Sequence, residues 1–174
     1  MEISYILTGD ITKDSVANMI TWLFGQLYGQ NGKNITKLRF FISSTGGDID
    51  SAIRLYAYLR AIPFEVHTFG FGQVDSAAVI CLLAGAKRSA VKHCRFLVHE
   101  GNYTIGQQTA PLHNHDETLR LLKAMLTTMT DILSSETGRT PEEIGTILKE
   151  GKILSDTEAK EFGLIHELLD KVPL

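Results

Sequence analysis

Residues 64–99 read FEVHTFGFGQVDSAAVICLLAGAKRSAVKHCRFLVH. Phe64 to Phe69 is an apolar, β-prone run and predicts a strand. Glycines at 70 and 72 punctuate it. Ser76 to Gly85 is apolar on all sides and predicts a buried helix. Cys94 to His99 predicts another apolar strand. Strand, helix and strand in this order argue for an α/β fold with a mostly parallel sheet and right-handed crossovers.

The flanking sequence repeats the alternation. Ile3, Tyr5 and Leu7 stand at period two and predict a strand ending at Gly9-Asp10. Residues 14–29 predict a helix with Val16, Ile20, Leu23, Phe24 and Leu27 on one face. Residues 35–43 predict a second strand, broken by Ser44-Thr45-Gly46-Gly47-Asp48. A helix follows from about 48 to 61 and ends before Pro63.

The second half is more helical. Leu119, Leu122, Leu126, Met129 and Leu133 recur at spacings of three and four, with a further stripe at Leu121, Met125 and Ile132. They predict a helix from about 113 to 137, roughly 38 Å long, in a chain whose radius of gyration should be about 16 Å. Such a helix crosses the whole domain or projects from it. Its two stripes are satisfied by one wide core face or by a core and a second subunit. Thr140-Pro141-Glu142-Glu143 and Ser155-Asp156-Thr157-Glu158 predict two further helix starts with capping boxes. Gly163 closes the second, and Leu164-Ile165 begins a last extended piece.

The chain has 174 residues, 44% hydrophobic and 21% charged, with a formal net charge of −3. These values suit one soluble domain and exclude disorder or fibrous repeats as its main architecture. A mildly acidic balance predicts no nucleic-acid partner and no membrane-surface partner. No apolar run reaches the ~18 residues a membrane span needs, and the first residues, MEISYILTGD, do not read as a signal peptide. Cys81 and Cys94 lie in apolar contexts and predict reduced core residues of a cytoplasmic protein. No cofactor or metal site is predicted. His113 and His115 are two apart, so they point to different helix faces, and no carboxylate or cysteine cluster joins them.

Three places can carry chemistry. Gly46-Gly47 lies between a strand and a helix, where the backbone either simply turns or exposes N–H groups to an oxyanion. Ser76 enters the first turn of a helix, as a cap or packing residue or as a nucleophile at the positive helix end. His99 closes a buried strand, either as a satisfied core histidine or as a base at the edge where α/β ligand sites collect.

Taken together, these segments resemble the Clp protease proteolytic subunit family, a serine peptidase branch of the crotonase-like fold. Residues 41–47, FISSTGG, resemble its N-S-P-G-G turn, and GQVDSAA at 72–78 its G-x-A-A-S-M-G nucleophile turn. Residues 84–88, AGAKR, resemble A-G-x-x-G-K-R, shortened by two. Residues 95–99, RFLVH, resemble R-x-M-I-H, and EAKEFGLI at 158–165 resembles E-A-x-E-Y-G-L-I-D. The match is collinear over most of the chain. The Val-Asp-Ser turn also resembles a branch of Clp-like crotonase-fold proteins that is mostly uncharacterised.

The resemblance implies one Clp protease-like domain over 1–174, with 101–138 as a handle region made of a strand (101–112) and a long helix. It implies Ser76 as nucleophile, His99 as base, and the backbone N–H groups of Gly47 and Ala77 as the oxyanion hole. It implies a homo-oligomer, a ring in this family, acting on peptides or unfolded polypeptides. The family's triad aspartate aligns with Gly151, so the third member is sought nearby, first at Glu150, then at Asp156 or Asp75. Thr45 stands where the family has a proline. The chain starts at the family's first sheet strand, and engagement of a ring ATPase is therefore not expected. Two other readings follow from the same residues: a pseudo-protease that keeps fold and oligomer without turnover, and a crotonase-like enzyme that holds an acyl-thioester enolate.

Overall fold

A computed structural model describes residues 1–29, 34–101 and 112–173, the side chains of 112–115 excepted. Strands β1 (Glu2–Thr8), β2 (Lys37–Ser44), β3 (Glu65–Asp75), β4 (Lys87–Val91) and β7 (Glu167–Leu169) lie side by side in that order, all parallel. Helices α1 (Lys13–Tyr28), α2 (Ile49–Ala61) and α3 (Ala77–Leu83) connect them. The α/β reading and the parallel sheet of the sequence analysis are therefore found.

The central strand does more than one job. The first half of β3 pairs with β4, Phe69 opposite Ser89 and Gly70 opposite Ala90. Its second half leaves β4 and pairs with β5 (Arg95–Val98), Gln73 opposite Arg95 and Asp75 opposite Leu97. β5 then pairs antiparallel with β6 (Lys152–Leu154). The change of partner falls at Gly70 and Gly72, just past Phe69 where the sequence reading ended the strand; the strand in fact continues to Asp75. A side chain at Gly70 would meet Val74 Cγ2 at 3.0 Å, so a small residue is needed where the strand swerves.

The core lies between the sheet and the helices. α3 is buried at every position from Ala77 to Leu83, as its unbroken apolar run predicts. α1 buries Val16, Met19 and Leu23. The sequence face placed Phe24 with them, whereas it is 54% exposed and stacks on Tyr28, four residues on, with ring centroids 4.3 Å apart. Met19, read as no part of that face, takes the inward position.

α4 (Leu112–Thr137) has 26 residues. Its last third buries Met129, Ile132 and Leu133. Farther toward its start Leu119 and Leu121 are more than half exposed, so the stripe does not stay on this core. The capping boxes at Thr140 and Ser155 open α5 (Pro141–Glu150) and α6 (Asp156–Phe162), each with both reciprocal bonds formed. The handle strand expected at 101–112 falls almost wholly on residues outside those described, and so do the side chains of His113 and His115. Among the described residues, no helix is long and apolar enough to cross a membrane.

A buried ion pair ties these helices to the sheet. Arg88 on β4, 4% exposed, donates to the Glu136 carboxylate at 2.9 Å and to the Glu136 carbonyl at 2.7 Å. Its Nε donates to the Leu164 carbonyl at 2.9 Å. The Tyr56 hydroxyl donates to the other Glu136 oxygen at 2.7 Å. Burial, with that carboxylate beside it, pushes the Tyr56 phenol up to about 12.

Candidate active site

β3 delivers its last residue, Asp75, and α3 starts two residues later. Ser76 sits at the joint with φ 57° and ψ −125°. That is a strained backbone for a residue with a side chain, costing about 1–3 kcal/mol. The surroundings hold it there. The Ser76 N–H donates to the Leu97 carbonyl of β5 at 2.7 Å. The whole of α3 is locked in the core behind it. A side chain at Gly46 would come within 2.6 Å of Ser76 Cβ and of the Asp75 carbonyl oxygen, so the serine turn and the Gly46-Gly47 turn press together.

The Gly46-Gly47 turn is held from its other side. Ile11 donates its N–H to the Gly46 carbonyl at 2.7 Å, and Asp48 donates its N–H to the Ile11 carbonyl at 2.8 Å. This bridge leaves the N–H of Gly47 itself without an acceptor among the described residues. Gly47 has φ 138°, and a Cβ there would collide with the Ile11 carbonyl, so only glycine fits. Ala77, first residue of α3, has an N–H without an intrahelical acceptor. Thr45 donates its hydroxyl to Asp10 Oδ1 at 2.9 Å, which anchors the turn where a proline would have stiffened it.

A pocket of about 60 Å³ is lined by Gly47, Ile49, Ser76, His99, Glu100, Gly101 and Met129. Three of the four residues singled out from sequence thus line one space, and Ala77 adjoins it through Ser76. His99 is half-buried, just beyond the end of β5. The following residue fixes its backbone: Glu100 donates its N–H to the Leu148 carbonyl of α5 at 3.0 Å. A larger groove of about 510 Å³, lined by His93, Arg95 and Asp156 among others, contains neither Ser76 nor His99. Size does not mark the chemistry here.

The acidic candidates fall elsewhere. Glu150 ends α5, is exposed, and does not line the pocket. Asp156 uses Oδ2 to accept the His93 N–H at 2.6 Å and Oδ1 to accept the Thr157 N–H at 2.7 Å. Those bonds hold its carboxyl below the usual range. Asp75 is 4% exposed and takes Arg95 Nη2 on Oδ2. Its Oδ1 is buried without a hydrogen-bond partner among the described residues. The backbone position beside His99 is Gly151: a Cβ built there would lie 3.7 Å from His99 Cβ, with nothing else within 4 Å.

Sequence reasoning missed Glu100 and Ile49 and treated Met129 only as a packing residue. A charged residue directly after the strand-closing His99 was the available signal for the first. Cys81 and Cys94 are buried and unpaired, and burial pushes both thiols up to about 12, which suits inert core residues.

The Clp protease family matches the chain over residues 2–172, and the chain belongs to that family. It is 27% identical over 169 residues to the ATP-dependent Clp protease proteolytic subunit 2 of Treponema pallidum (strain Nichols), covering 95% of this chain and 81% of that protein. Its fold superposes on a mutant of ClpP1 from Listeria monocytogenes with a TM-score of 0.82 and 20% identity. That superposition covers 97% of this chain and 91% of the other.

Proposed function

We propose that this protein is a serine peptidase that cuts peptides or unfolded polypeptides with Ser76 and His99. One observation carries the reading: the strained Ser76, His99 and Gly47 line the same small pocket. Family membership supports the peptidase class.

The chemistry follows from the parts. His99 takes the hydroxyl proton of Ser76 as Oγ attacks the scissile carbonyl carbon. The carbonyl oxygen becomes an oxyanion and accepts from the N–H groups of Gly47 and Ala77, each donor worth about 3–4 kcal/mol of barrier. Collapse breaks the C–N bond, and the imidazolium returns the proton to the leaving amine. Water, deprotonated by His99, then releases the acyl group by the same route in reverse order. Among the described residues Glu100 is the carboxylate that lines the pocket, and Glu150 would have to swing inward to serve as third member. The reading therefore rests on the serine–histidine pair.

Self-association belongs to the same proposal. Leu119 and Leu121 stand exposed on the projecting part of α4, and a second copy would cover them. Sedimentation at micromolar concentration should give a species well above the 19.3 kDa chain.

A pseudo-protease is the second reading, and Gly151 beside His99 is the observation that favours it. Hydrolysis of fluorogenic peptides by the wild type and by Ser76→Ala separates the two. Turnover lost in the variant supports the peptidase. Turnover intact in the variant, or none in the wild type, refutes it.

A further inference from the structure

We infer that Glu100 selects substrates with a lysine or arginine side chain on the residue that supplies the scissile carbonyl. This rests on the peptidase reading above and names the substrate class for the same pocket.

The lining residues divide by chemistry. Gly47, Ser76 and Gly101 carry no charge, Ile49 and Met129 are apolar, and His99 is committed to proton transfer. Glu100 is the remaining ionisable side chain. Its backbone is pinned to α5 through Leu148, so the residue is held at the pocket wall. Its carboxylate is exposed, and among the described residues no cation pairs with it.

The two other carboxylates near the glycine turn differ. Asp48 Oδ1 accepts the Ser51 N–H at 2.8 Å, and Asp10 Oδ1 accepts the Thr45 hydroxyl at 2.9 Å. Neither lines the pocket. Among the described residues, Glu100 alone offers an unspent negative charge there.

A small, mostly polar pocket with one free carboxylate among its lining residues matches the charged head of a cationic side chain. Lysine and arginine bury their alkyl stems against apolar surface and keep the charged head in water. The partly exposed Ile49 at the pocket would meet the stem as it enters, and Glu100 the head. A glutamate in the same place would meet like charge. An exposed ion pair is worth up to a factor of about five, and the sign reverses for glutamate. The expected preference for lysine over glutamate is therefore up to about 25-fold at low salt, shrinking as salt screens it.

The test uses the full chain as wild type, Glu100→Gln and Glu100→Lys. Each is treated with peptidyl diphenyl phosphonates ending in lysine, norleucine or glutamate analogues, and inactivation is followed by intact mass. A plain fluorophosphonate, with no side chain to recognise, reports the reactivity of Ser76 alone. The inference predicts lysine over norleucine over glutamate in the wild type, near-equality in Glu100→Gln, and inversion in Glu100→Lys, each rate being divided by the same protein's plain fluorophosphonate rate. A flat ratio in a wild type that the fluorophosphonate labels overturns the inference alone, and so does a lysine preference that survives in Glu100→Gln. A wild type that the fluorophosphonate does not label overturns the peptidase reading and this inference with it.

Discussion

Replacing Gly151 by aspartate should make the protein a faster enzyme. A Cβ at this position lies 3.7 Å from His99 Cβ in ordinary contact, and no other atom of the described residues beyond its two chain neighbours comes within 4 Å. The carboxylate so placed can reach the imidazole from beside the ring. Gly151 caps α5 with φ 71° and ψ 76°, and its N–H donates to the Ile147 carbonyl at 3.0 Å. Aspartate keeps that bond and is among the residues that enter this left-handed region, at a cost of about 1 kcal/mol. For a chain of this size that lowers Tm by about 2–4 °C. In triad enzymes the acid is worth about 10⁴ in turnover. A gain of at least about tenfold in kcat/KM on a fluorogenic peptide is expected, rising toward that ceiling as the carboxylate approaches ideal geometry. Gly151→Asn is the control, with the same shape and backbone demand and no charge. Equal rates in folded Asp and Asn variants would refute the reasoning.

Three further outcomes follow from the framework around the site. Arg88→Met should cost about 3–5 kcal/mol, because it leaves Glu136 buried with only Tyr56 and a distant Arg60 (3.8 Å); a melting temperature within about 3 °C of wild type would contradict this. His166 is held below its ordinary value by burial first and by the charge of Arg88 second, and its Nδ1 accepts the Arg88 backbone N–H at 3.2 Å. The folded state thus binds fewer protons than the unfolded one below pH 6.5, so this contribution to stability is lost as pH falls from that value, and thermal melts should show a shallower acid slope in His166→Ala. Cys81 and Cys94 should resist a thiol reagent at pH 8 in the native state and react only on unfolding; native-state reaction of both would show that the core is not closed over them.

The fold was readable wherever a run of one character was long enough. The apolar helix from Ala77 and the strands carrying Leu38 and Phe96 announce themselves by burial. β4 did not, because Lys87 and Arg88 open a five-residue strand with charges that only the paired neighbours at Glu167 and Glu136 explain. β6, three residues long with Ile153 64% exposed, has no local pattern to read. Phe24 was misplaced because helical periodicity fixes a stripe and not its edge, and Met19 fits the inner position without strain.

The site was partly legible for a related reason. Ser76, His99 and the paired glycines are types that chemistry or backbone geometry requires at those points. A carboxylate for His99 was not legible from residue type, since the position beside it is a glycine flanked by the exposed Glu150 and Lys152. Glu100 was missed because adjacency in sequence normally sends side chains to opposite sides. Here the chain leaves β5 after Val98, and both residues reach the pocket.

The most direct measurement of the central claim is fluorophosphonate labelling read by intact mass on the wild type and on Ser76→Ala. One covalent adduct on the wild type and none on the variant is the predicted result, showing an activated Ser76. No adduct on a folded wild type, or equal labelling of the variant, would contradict the account.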